Sequence, residues 1–444
     1  MGSIDENPVF GFSASKLPLQ LFINNEYVDA KKHRDHHSLQ SQGDSLVSDK
    51  VPVAGAEDVD AAFAHLLDKN IMALAELRRI TLGAPYGTFG KLETGMAAES
   101  FRYNAGWIDK FAGEAHPQED GFMKITRHEP LGVTAGIVPW NAPLGTVGLK
   151  AAPALATGNC FILKPSKTPF AALALGLLIK EAGFPPGVFQ VLSDAGPTGA
   201  PLARHMRIRK VSFTGSIGTG KLIQKMAAES NLKRVTLDLG ETNTGQVCFA
   251  ASRVYVQEGI VDKFTEKYKA ALEERAKSIN DPEEPTTLMG PLVDEAQFRR
   301  VTGFIERGAQ HGAILTGGKR VGEKKYFIQP TVFTNVASVA ELYKEEIFGP
   351  VSILNSFKTE DEVLQEANAT EYRLMAGVFT QDINKAMRMA SNFDSGMVGT
   401  NCVSLSMLNI PFGGSKQSGL GRECGRAALE HFTEPKTIMM NLTY

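Results

Sequence analysis

The sequence predicts an α/β protein in which helices cover parallel β-sheets. Three observations lead to this class. Strand-length apolar runs alternate with helical patterns between residues 160 and 240, and the same alternation returns between residues 252 and 401. Short connections between such elements favour parallel strands. The chain has 444 residues, enough for about three domains or two large ones.

The first α/β unit starts with an apolar strand and continues through three helices. Gly183 and the run Pro185–Gly187 end its first helix. Ligands of parallel sheets bind at the carboxyl ends of the strands, so the loops that follow these strands are candidate site positions. The elements we expect are Cys160–Leu163, Phe170–Ala182, Val188–Leu192, Pro197–His205, Lys210–Phe213, Thr219–Ser230 and Arg234–Leu237.

The second α/β unit follows the same logic over a longer stretch. No repeat of fixed period is visible in it. Its expected strands and helices are Ser252–Gln257, Ile260–Ser278, Val351–Phe357, Glu360–Ala369, Gly377–Thr380, Asp382–Asn392 and Gly396–Asn401.

Composition and charge exclude several classes of protein. There are 47 basic and 49 acidic residues, and a net charge of −2 argues against a nucleic-acid binder. The longest strongly apolar run, Ala171–Ile179, is too short to cross a bilayer. The first residues lack the features of a signal peptide, and four cysteines are too few for a disulfide framework. We therefore expect a cytoplasmic enzyme with a small-molecule substrate and no membrane partner.

A histidine cluster near the start of the chain is the one feature that suggests a metal. His33, His36 and His37 have no second group of ligands at a metal-site spacing. We expect a solvated loop there and no metal site.

A glycine-rich turn follows the strand Lys210–Phe213. Glycine lets the backbone approach a phosphate closely, and the helix after it offers free N–H groups. The spacing of Gly215, Gly218 and Gly220 is not the dinucleotide pattern G-x-G-x-x-G, so a plain strand-to-helix turn fits it as well as a phosphate site. Its place after a parallel strand favours a nucleotide.

Two residues could carry reaction chemistry. Cys248 follows a glycine-containing turn, where it is either a small buried hydrophobe or a nucleophile. Asn141 lies between Pro139 and Pro143, where its amide either forms a turn or stabilises an oxyanion. The run Pro411–Arg422 is a glycine-rich loop with two basic residues and by itself indicates nothing more.

In chain order, the sequence resembles the aldehyde dehydrogenase superfamily almost from end to end. The matching segments are Leu21–Asp29, Thr126–Gly132, Val138–Asn141, Ala154–Asn159, Phe213–Ser216, Gly245–Cys248, Phe327–Thr331, Glu345–Pro350 and Pro411–Gly414. The resemblance implies oxidation of an aldehyde to a carboxylic acid with NAD or NADP, through a thiohemiacetal and a thioester on a cysteine.

The resemblance also implies a division into domains. A Rossmann-type cofactor domain is expected over residues 1–122 and 132–240, and an α/β catalytic domain over residues 241–434. Residues 123–131 and 435–444 should pair as a small β-extension that makes a homodimer or homotetramer.

The catalytic residues are assigned by motif. Cys248 stands at the position of the nucleophile, where a thiolate attacks well and leaves readily from a thioester. Asn141 matches the oxyanion donor, with the backbone N–H of Cys248 as its partner. Asp238 stands where the family has a glutamate as general base.

The cofactor-binding residues follow in the same way. Lys164 matches a lysine at the adenosine ribose, and Gly215 with Ser216 matches the turn under the pyrophosphate. Glu346 and Phe348 match the pair at the nicotinamide ribose and ring. The full set is Val138, Trp140, Lys164, Ser166, Lys167, Gly196, Phe213, Gly215, Ser216, Glu346 and Phe348.

The chain departs from the family around the residue expected to act as general base. Asp238 is one methylene shorter than glutamate, so its reach to a water beside Cys248 is reduced. Only ten positions separate Asp238 from Cys248, and roughly two dozen residues, about a helix plus a strand, are missing between them. A similar block is missing near residues 63–68.

The loop after Lys164 is one residue short. The missing residue is the acid that normally binds the ribose hydroxyls and repels a 2′-phosphate. With Lys167 nearby, we expect NADP⁺ to bind at least as well as NAD⁺.

Three functions remain open on the sequence. The chain is a working aldehyde dehydrogenase with an altered site, or a non-catalytic relative shortened within the fold. The third is a reductase acting on an acyl thioester, which needs the thiol but no hydrolytic base. Dependence of cofactor oxidation on an acyl-CoA would distinguish the reductase.

Overall fold

The computed structural model describes residues 21–28, 56–85, 89–118, 120–193, 198–239 and 245–443. Gly196 and the histidine cluster lie outside these ranges. In the described chain the strands are β1 Leu21–Ile23, β2 Glu26–Val28, β3 Glu114–His116, β4 Phe122–Pro130, β5 Val133–Val138, β6 Cys160–Pro165, β7 Phe189–Val191, β8 Lys210–Gly215, β9 Arg234–Leu239, β10 Arg253–Gln257, β11 Ala313–Thr316, β12 Thr331–Thr334, β13 Val351–Phe357, β14 Tyr372–Arg373, β15 Met375–Val378, β16 Met397–Thr400, β17 Ser415–Lys416, β18 Gly419–Leu420 and β19 Thr433–Asn441.

Helices pack on both sides of the sheets. The α-helices of the described chain are α1 Ala56–Lys69, α2 Ile71–Leu82, α3 Lys91–Ala105, α4 Pro143–Ala156, α5 Phe170–Glu181, α6 Gly199–Arg204, α7 Ile217–Ala228, α8 Val261–Ala276, α9 Glu295–Gly308, α10 Glu341–Lys344, α11 Glu360–Asn368, α12 Ile383–Asn392 and α13 Gly425–His431. This confirms the α/β class predicted from the sequence.

The largest sheet has the strand order β18-β9-β8-β5-β6-β7-β1-β2. Its five central strands, β9 to β7 in that order, run parallel. Every residue of β5 and β6 is buried, as expected for parallel strands covered on both faces. Helices α1 to α5 contribute to one core with this sheet, in which Phe63 and Phe101 meet edge to face at 4.8 Å.

The helix after β8 starts earlier than the sequence suggested. Its N-cap is Ser216, whose hydroxyl accepts from the backbone N–H of Thr219 at 3.4 Å. Gly218 and Gly220 therefore lie inside the first turns of α7 and not in the loop. A Cβ on Gly220 would come within 2.6 Å of the buried Leu239 side chain, whereas a Cβ on Gly218 would meet nothing within 4 Å. Gly220 thus lets the helix approach the sheet.

The predicted strands of the second unit are present but form two separate sheets in the described chain. One has the order β10-β13-β12-β11, and the other is the parallel pair β15 and β16. Large apolar side chains beside the small sheet are exposed, with Phe379 at 66%, Ile383 at 67% and Met387 at 60%. Apolar side chains beside this small sheet are therefore less fully buried than those of the first unit.

A third small sheet joins distant parts of the chain. Strand β19 pairs antiparallel with β4 from Thr433 opposite Pro130 to Asn441 opposite Phe122, and β3 pairs with the other edge of β4. Strand β18, from the segment predicted to be catalytic, joins the edge of the large sheet beside β9. A strand expected in the catalytic domain thus pairs with a strand expected in the cofactor domain. The domain boundaries stay a prediction.

The described residues offer neither a metal site nor a helical membrane span. They contain no group of three or more histidine, cysteine or acidic residues placed to hold a metal. No helix among them is long and apolar enough to span a membrane.

Replacing Gly220 by alanine should lower the free energy of unfolding by about 1–3 kcal/mol, because the new methyl group overpacks against Leu239. The matched variant Gly218→Ala has open space, and alanine favours a helix by up to about 1 kcal/mol. Urea unfolding of both variants measures the difference. Equal stability of the two would contradict the packing role of Gly220.

Candidate active site

The carboxyl ends of adjacent parallel strands bring several expected site residues to one edge of the large sheet. Val138, the last residue of β5, pairs with Pro165, which follows Lys164 on β6. On the other side of β5, Thr214 of β8 pairs with Asp238 of β9. The edge of a parallel sheet where strands end is where ligands of this architecture bind.

The end of β8 and the start of α7 form a cradle for an anion. Phe213 is buried in the strand, and Gly215 leads directly into the N-cap residue Ser216. The unbonded N–H groups of a first helical turn, with the positive end of the helix dipole, attract phosphate. Space remains beside Gly218, where a Cβ would touch none of the described residues. These features fit the pyrophosphate of a dinucleotide.

A buried ion pair holds the loop that carries Trp140 and Asn141. The Arg78 guanidinium contacts the Glu93 carboxylate at 2.7 Å, and both side chains are almost fully buried. Arg78 also donates to the carbonyl oxygen of Asn141 at 2.5 Å. Glu93 accepts from the backbone N–H of Leu144 at 2.6 Å, in the first turn of α4. The pair thus ties the loop and the helix that follows it to α2 and α3.

Asn141 lies beside the segment that carries Cys248. Its side-chain amide donates to the carbonyl oxygen of Gln246 at 2.9 Å, and the amide is 5% exposed. The Gln246 side chain in turn accepts from the backbone N–H of Val293 at 3.0 Å. Cys248 is half-buried two residues further on. The structure therefore brings the two predicted catalytic residues, Cys248 and Asn141, to one place.

An aromatic pair connects the sheet edge with the Glu346–Phe348 loop. The rings of Trp140 and Phe348 meet at 5.2 Å, nearly perpendicular to each other. The loop is held from α9, because the Gln297 amide donates to the Phe348 carbonyl at 2.8 Å and Arg300 donates to the Glu346 carbonyl. Phe348 has a φ of 59°, a left-handed conformation that costs energy for a residue with a side chain.

Lys167, the cation expected to favour NADP⁺, is paired with an acid. Its ammonium group forms an ion pair with Asp294, which lies 127 residues away in sequence. It also lies 4.8 Å from the centre of the Trp140 ring. The neighbouring Ser166 is half-buried in the same loop. A 2′-phosphate would have to compete with Asp294 for this lysine.

Asp238, the expected base, lies deep in the sheet and is 7% exposed. One carboxylate oxygen accepts from the Thr214 hydroxyl at 3.4 Å, and the other has no hydrogen-bond partner among the described residues. Burial, with repulsion from Glu423, raises the pKa of Asp238 to about 7, although Lys150 opposes the rise. A base with such a pKa is half ionised near neutral pH.

Asp238 belongs to a buried charge cluster, which we define as Lys150, Lys210, Asp238 and Glu423. Lys150 forms an ion pair with Glu423. Lys210, which donates to a threonine hydroxyl at 3.0 Å, is fully buried, and burial with the nearby Lys150 charge lowers its pKa well below the usual value. Two basic and two acidic groups thus share one interior region.

Two of the other cysteines, Cys160 and Cys424, are buried, whereas Cys248 is half-buried. Burial, reinforced by the charges of Glu423 and Asp238, raises the pKa of Cys424 to about 12. Burial also raises the pKa of Cys160. Both effects favour an unreactive thiol. Among the described residues the four cysteines form no disulfide.

Comparison with known proteins decides the family. The model of the aldehyde dehydrogenase family matches residues 48–243 and 241–438. The chain belongs to the aldehyde dehydrogenase family. It is 40% identical to aldehyde dehydrogenase 1A1 of Gallus gallus, over 95% of this chain and 93% of the relative. It is 42% identical to retinal dehydrogenase 2 of Homo sapiens, over 85% and 78%.

Solved structures of the family agree with this assignment. The NAD⁺ complex of aldehyde dehydrogenase from Bacillus cereus superposes with a TM-score of 0.91 and 34% identity, covering 96% of each chain. Family membership gives the chain NAD(P)-dependent oxidation of aldehydes as its reaction and NAD or NADP as its cofactor.

The comparisons also bear on the shortened segment of this aldehyde dehydrogenase. The alignment with the Gallus gallus relative runs over 479 positions, more than the 444 residues of the chain. Some positions of the relative therefore have no counterpart here. The two stretches that match the family model meet at residues 241–243, between Asp238 and Cys248. This agrees with a block missing at that point.

Sequence reasoning missed Arg78, Glu93 and Asp294. For the first there was a signal, because Arg78 lies four positions from both Leu74 and Leu82 on the apolar side of α2. A charged residue on a buried helical stripe needs a partner. Asp294 precedes a helix, which predicts a cap but not its contact with Lys167.

Replacing Arg78 by methionine should lower the free energy of unfolding by about 3–5 kcal/mol, because it leaves the Glu93 carboxylate buried without its partner. The control is Arg79→Met, which removes more exposed pairs with Glu76 and Glu283, each worth less than about 1 kcal/mol. Urea unfolding compares the two. A loss at Arg78 no larger than at Arg79 would show that the buried pair does not stabilise this region.

Proposed function

We propose that this aldehyde dehydrogenase forms its acyl intermediate on Cys248 and that release of the acid is its slow step. The observation that carries the proposal is the hydrogen bond from the Asn141 amide to the Gln246 carbonyl oxygen, 2.9 Å long. It holds the proposed oxyanion donor beside the turn that presents the proposed nucleophile. The features needed for the first half of the reaction are thus together.

Acylation begins with the Cys248 thiolate. Its sulfur forms a bond to the carbonyl carbon of the aldehyde, and the carbonyl oxygen becomes an oxyanion. An amide carries two N–H donors, so Asn141 can keep its bond to Gln246 and give the second N–H to the oxyanion, beside the backbone N–H of Cys248. Bound NAD(P) would supply the acceptor for the hydride that leaves this carbon. A thioester on Cys248 remains.

Deacylation depends on Asp238. The carboxylate takes a proton from a water molecule as that water attacks the thioester carbon, and the carbon–sulfur bond breaks to return the thiolate. Asp238 is short, lies deep on β9 and is partly protonated near neutral pH. The two stretches that match the family model meet between Asp238 and Cys248, which supports a shortened segment there. These features support slow hydrolysis with intact acylation.

One observation favours the second candidate, a non-catalytic relative. The strands of the second unit form two separate sheets in the described chain, and apolar side chains such as Ile383 beside the small one are exposed. A missing strand and helix would explain both findings. The third candidate, an acyl-thioester reductase, needs no hydrolytic base, so an impaired Asp238 would not impede it.

We also propose an oligomeric state and a cellular location for the protein. The three-stranded sheet of β3, β4 and β19 has largely exposed residues, which include Phe122, Met439 and Met440. We assign this sheet to contacts between copies in a homodimer or homotetramer. The absence of disulfides among the described cysteines supports a reducing, cytoplasmic location.

Rapid mixing with an aldehyde and NAD⁺ or NADP⁺ should give a burst of reduced cofactor close to one per active site, followed by slow turnover. Loss of a well-positioned base slows hydrolysis by about 10²–10⁴-fold. Intact mass spectrometry during turnover should find the acyl group on the protein. Cys248→Ala should abolish burst and adduct.

The matched control is Cys402→Ala, which alters another half-buried thiol and should keep both signals. Cofactor binding with neither burst nor adduct for any aldehyde would support the non-catalytic relative. Oxidation of reduced cofactor only with an acyl-CoA would support the reductase.

The slow phase should accelerate as the pH rises through about 7, because Asp238 must be ionised to accept a proton. Glu423→Gln removes a negative charge that raises this pKa, so the midpoint should move to lower pH. The control is Glu430→Gln, an exposed acid paired with Arg426. Stopped-flow measurements across the pH range separate this phase from the burst. A slow phase independent of pH would exclude Asp238 as the base.

A further inference from the structure

We propose that Asp294 determines the choice of cofactor and makes the chain prefer NAD⁺ over NADP⁺. This rests on the cofactor site proposed at the edge of the large sheet. The carboxylate of Asp294 neutralises Lys167 and places a negative charge where a 2′-phosphate would approach that lysine.

Two independent contacts fix the Asp294 side chain. It is the N-cap of α9, where one carboxylate oxygen accepts from the backbone N–H of Gln297 at 2.8 Å. Its other oxygen holds the Lys167 ammonium. The contacts use different oxygens, so they do not compete. The charge is therefore held in place before any ligand binds.

The pair lies beside residues proposed to hold the cofactor. Lys167 follows the end of β6 by two residues, and its ammonium lies 4.8 Å from the Trp140 ring. On the opposite side, Gln297 of the helix capped by Asp294 holds the Phe348 carbonyl. The pair thus joins the loop after β6 to the helix that supports the nicotinamide side. Each partner remains about one-third exposed, so a ligand can reach it.

The charge of the Asp294 carboxylate determines whether this arrangement suits NAD or NADP. Burial alone would raise the pKa of Asp294, but hydrogen bonds from Lys167 and Gln297 hold it below the usual range. The carboxylate is therefore ionised at neutral pH. A phosphate monoester carries a charge of about −1.5 to −2 there, and like charges repel. An acidic group at the ribose suits NAD, and an available cation suits a 2′-phosphate.

The test is calorimetric titration of the whole chain with NAD⁺ and with NADP⁺. The wild type should bind NAD⁺ the more tightly. Asp294→Asn keeps the helix cap, because asparagine caps as well as aspartate, and it releases Lys167. The affinity for NADP⁺ relative to NAD⁺ should rise at least tenfold. Adding Lys167→Met to this variant should cancel the gain, because the cation that receives the phosphate is gone.

The matched control is Glu295→Gln, which neutralises the adjacent acid of the same helix, paired with Arg299. Its ratio of affinities should equal that of the wild type. Circular dichroism confirms that each variant is folded. In a Trp107→Phe background, release of Lys167 should also change the emission of Trp140, the remaining tryptophan, without any cofactor.

Three results would overturn the inference. A wild type that binds NADP⁺ as tightly as NAD⁺ would show that the lysine leaves Asp294 readily for the phosphate. An unchanged ratio in Asp294→Asn would place the selectivity elsewhere. Binding of neither cofactor by the folded wild type would refute the cofactor site itself, and the inference with it; binding of both with an unchanged ratio would refute the inference alone.

Discussion

The buried ion pair between Arg78 and Glu93 determines where the active-site loop lies. Taking two charges out of water is costly unless each finds further partners. Here those partners are backbone groups of the loop, since Arg78 holds the Asn141 carbonyl and Glu93 holds the N–H groups of Leu144 and Gly145. The direction of the Asn141 amide follows from this anchoring. The position of Asn141, in the loop after β5, thus depends on α2 and α3.

Much of the fold could be predicted from the sequence because its signals are local. A buried parallel strand such as Cys160–Pro165 is apolar along its whole length, and a glycine with prolines marks the end of α5. The start of α7 was misplaced by two residues, because glycines that indicate a turn can also lie in a helix where packing requires them. Gly220 is such a case.

The candidate site was less accessible to sequence reasoning. Cys248 and Asn141 were found by motif, but their proximity requires the chain to fold back over the 105 positions from Asn141 to Gln246. The partner of Lys167 is 127 positions away in sequence, and no local sequence pattern indicates this contact. A cation predicted to be available is therefore neutralised by a residue that sequence alone assigns only to a helix cap.

The buried charge cluster has a consequence for how this sequence can evolve. Lys150 and Glu423 balance each other away from water, so the loss of either charge leaves the other uncompensated. Changes at these two positions must then be inherited together. Asp238 is not under this constraint, because burial and repulsion from Glu423 disfavour its charged form. A descendant that had abandoned catalysis would still be selected to keep the Lys150–Glu423 pair, whereas the charge of Asp238 would have no such protection.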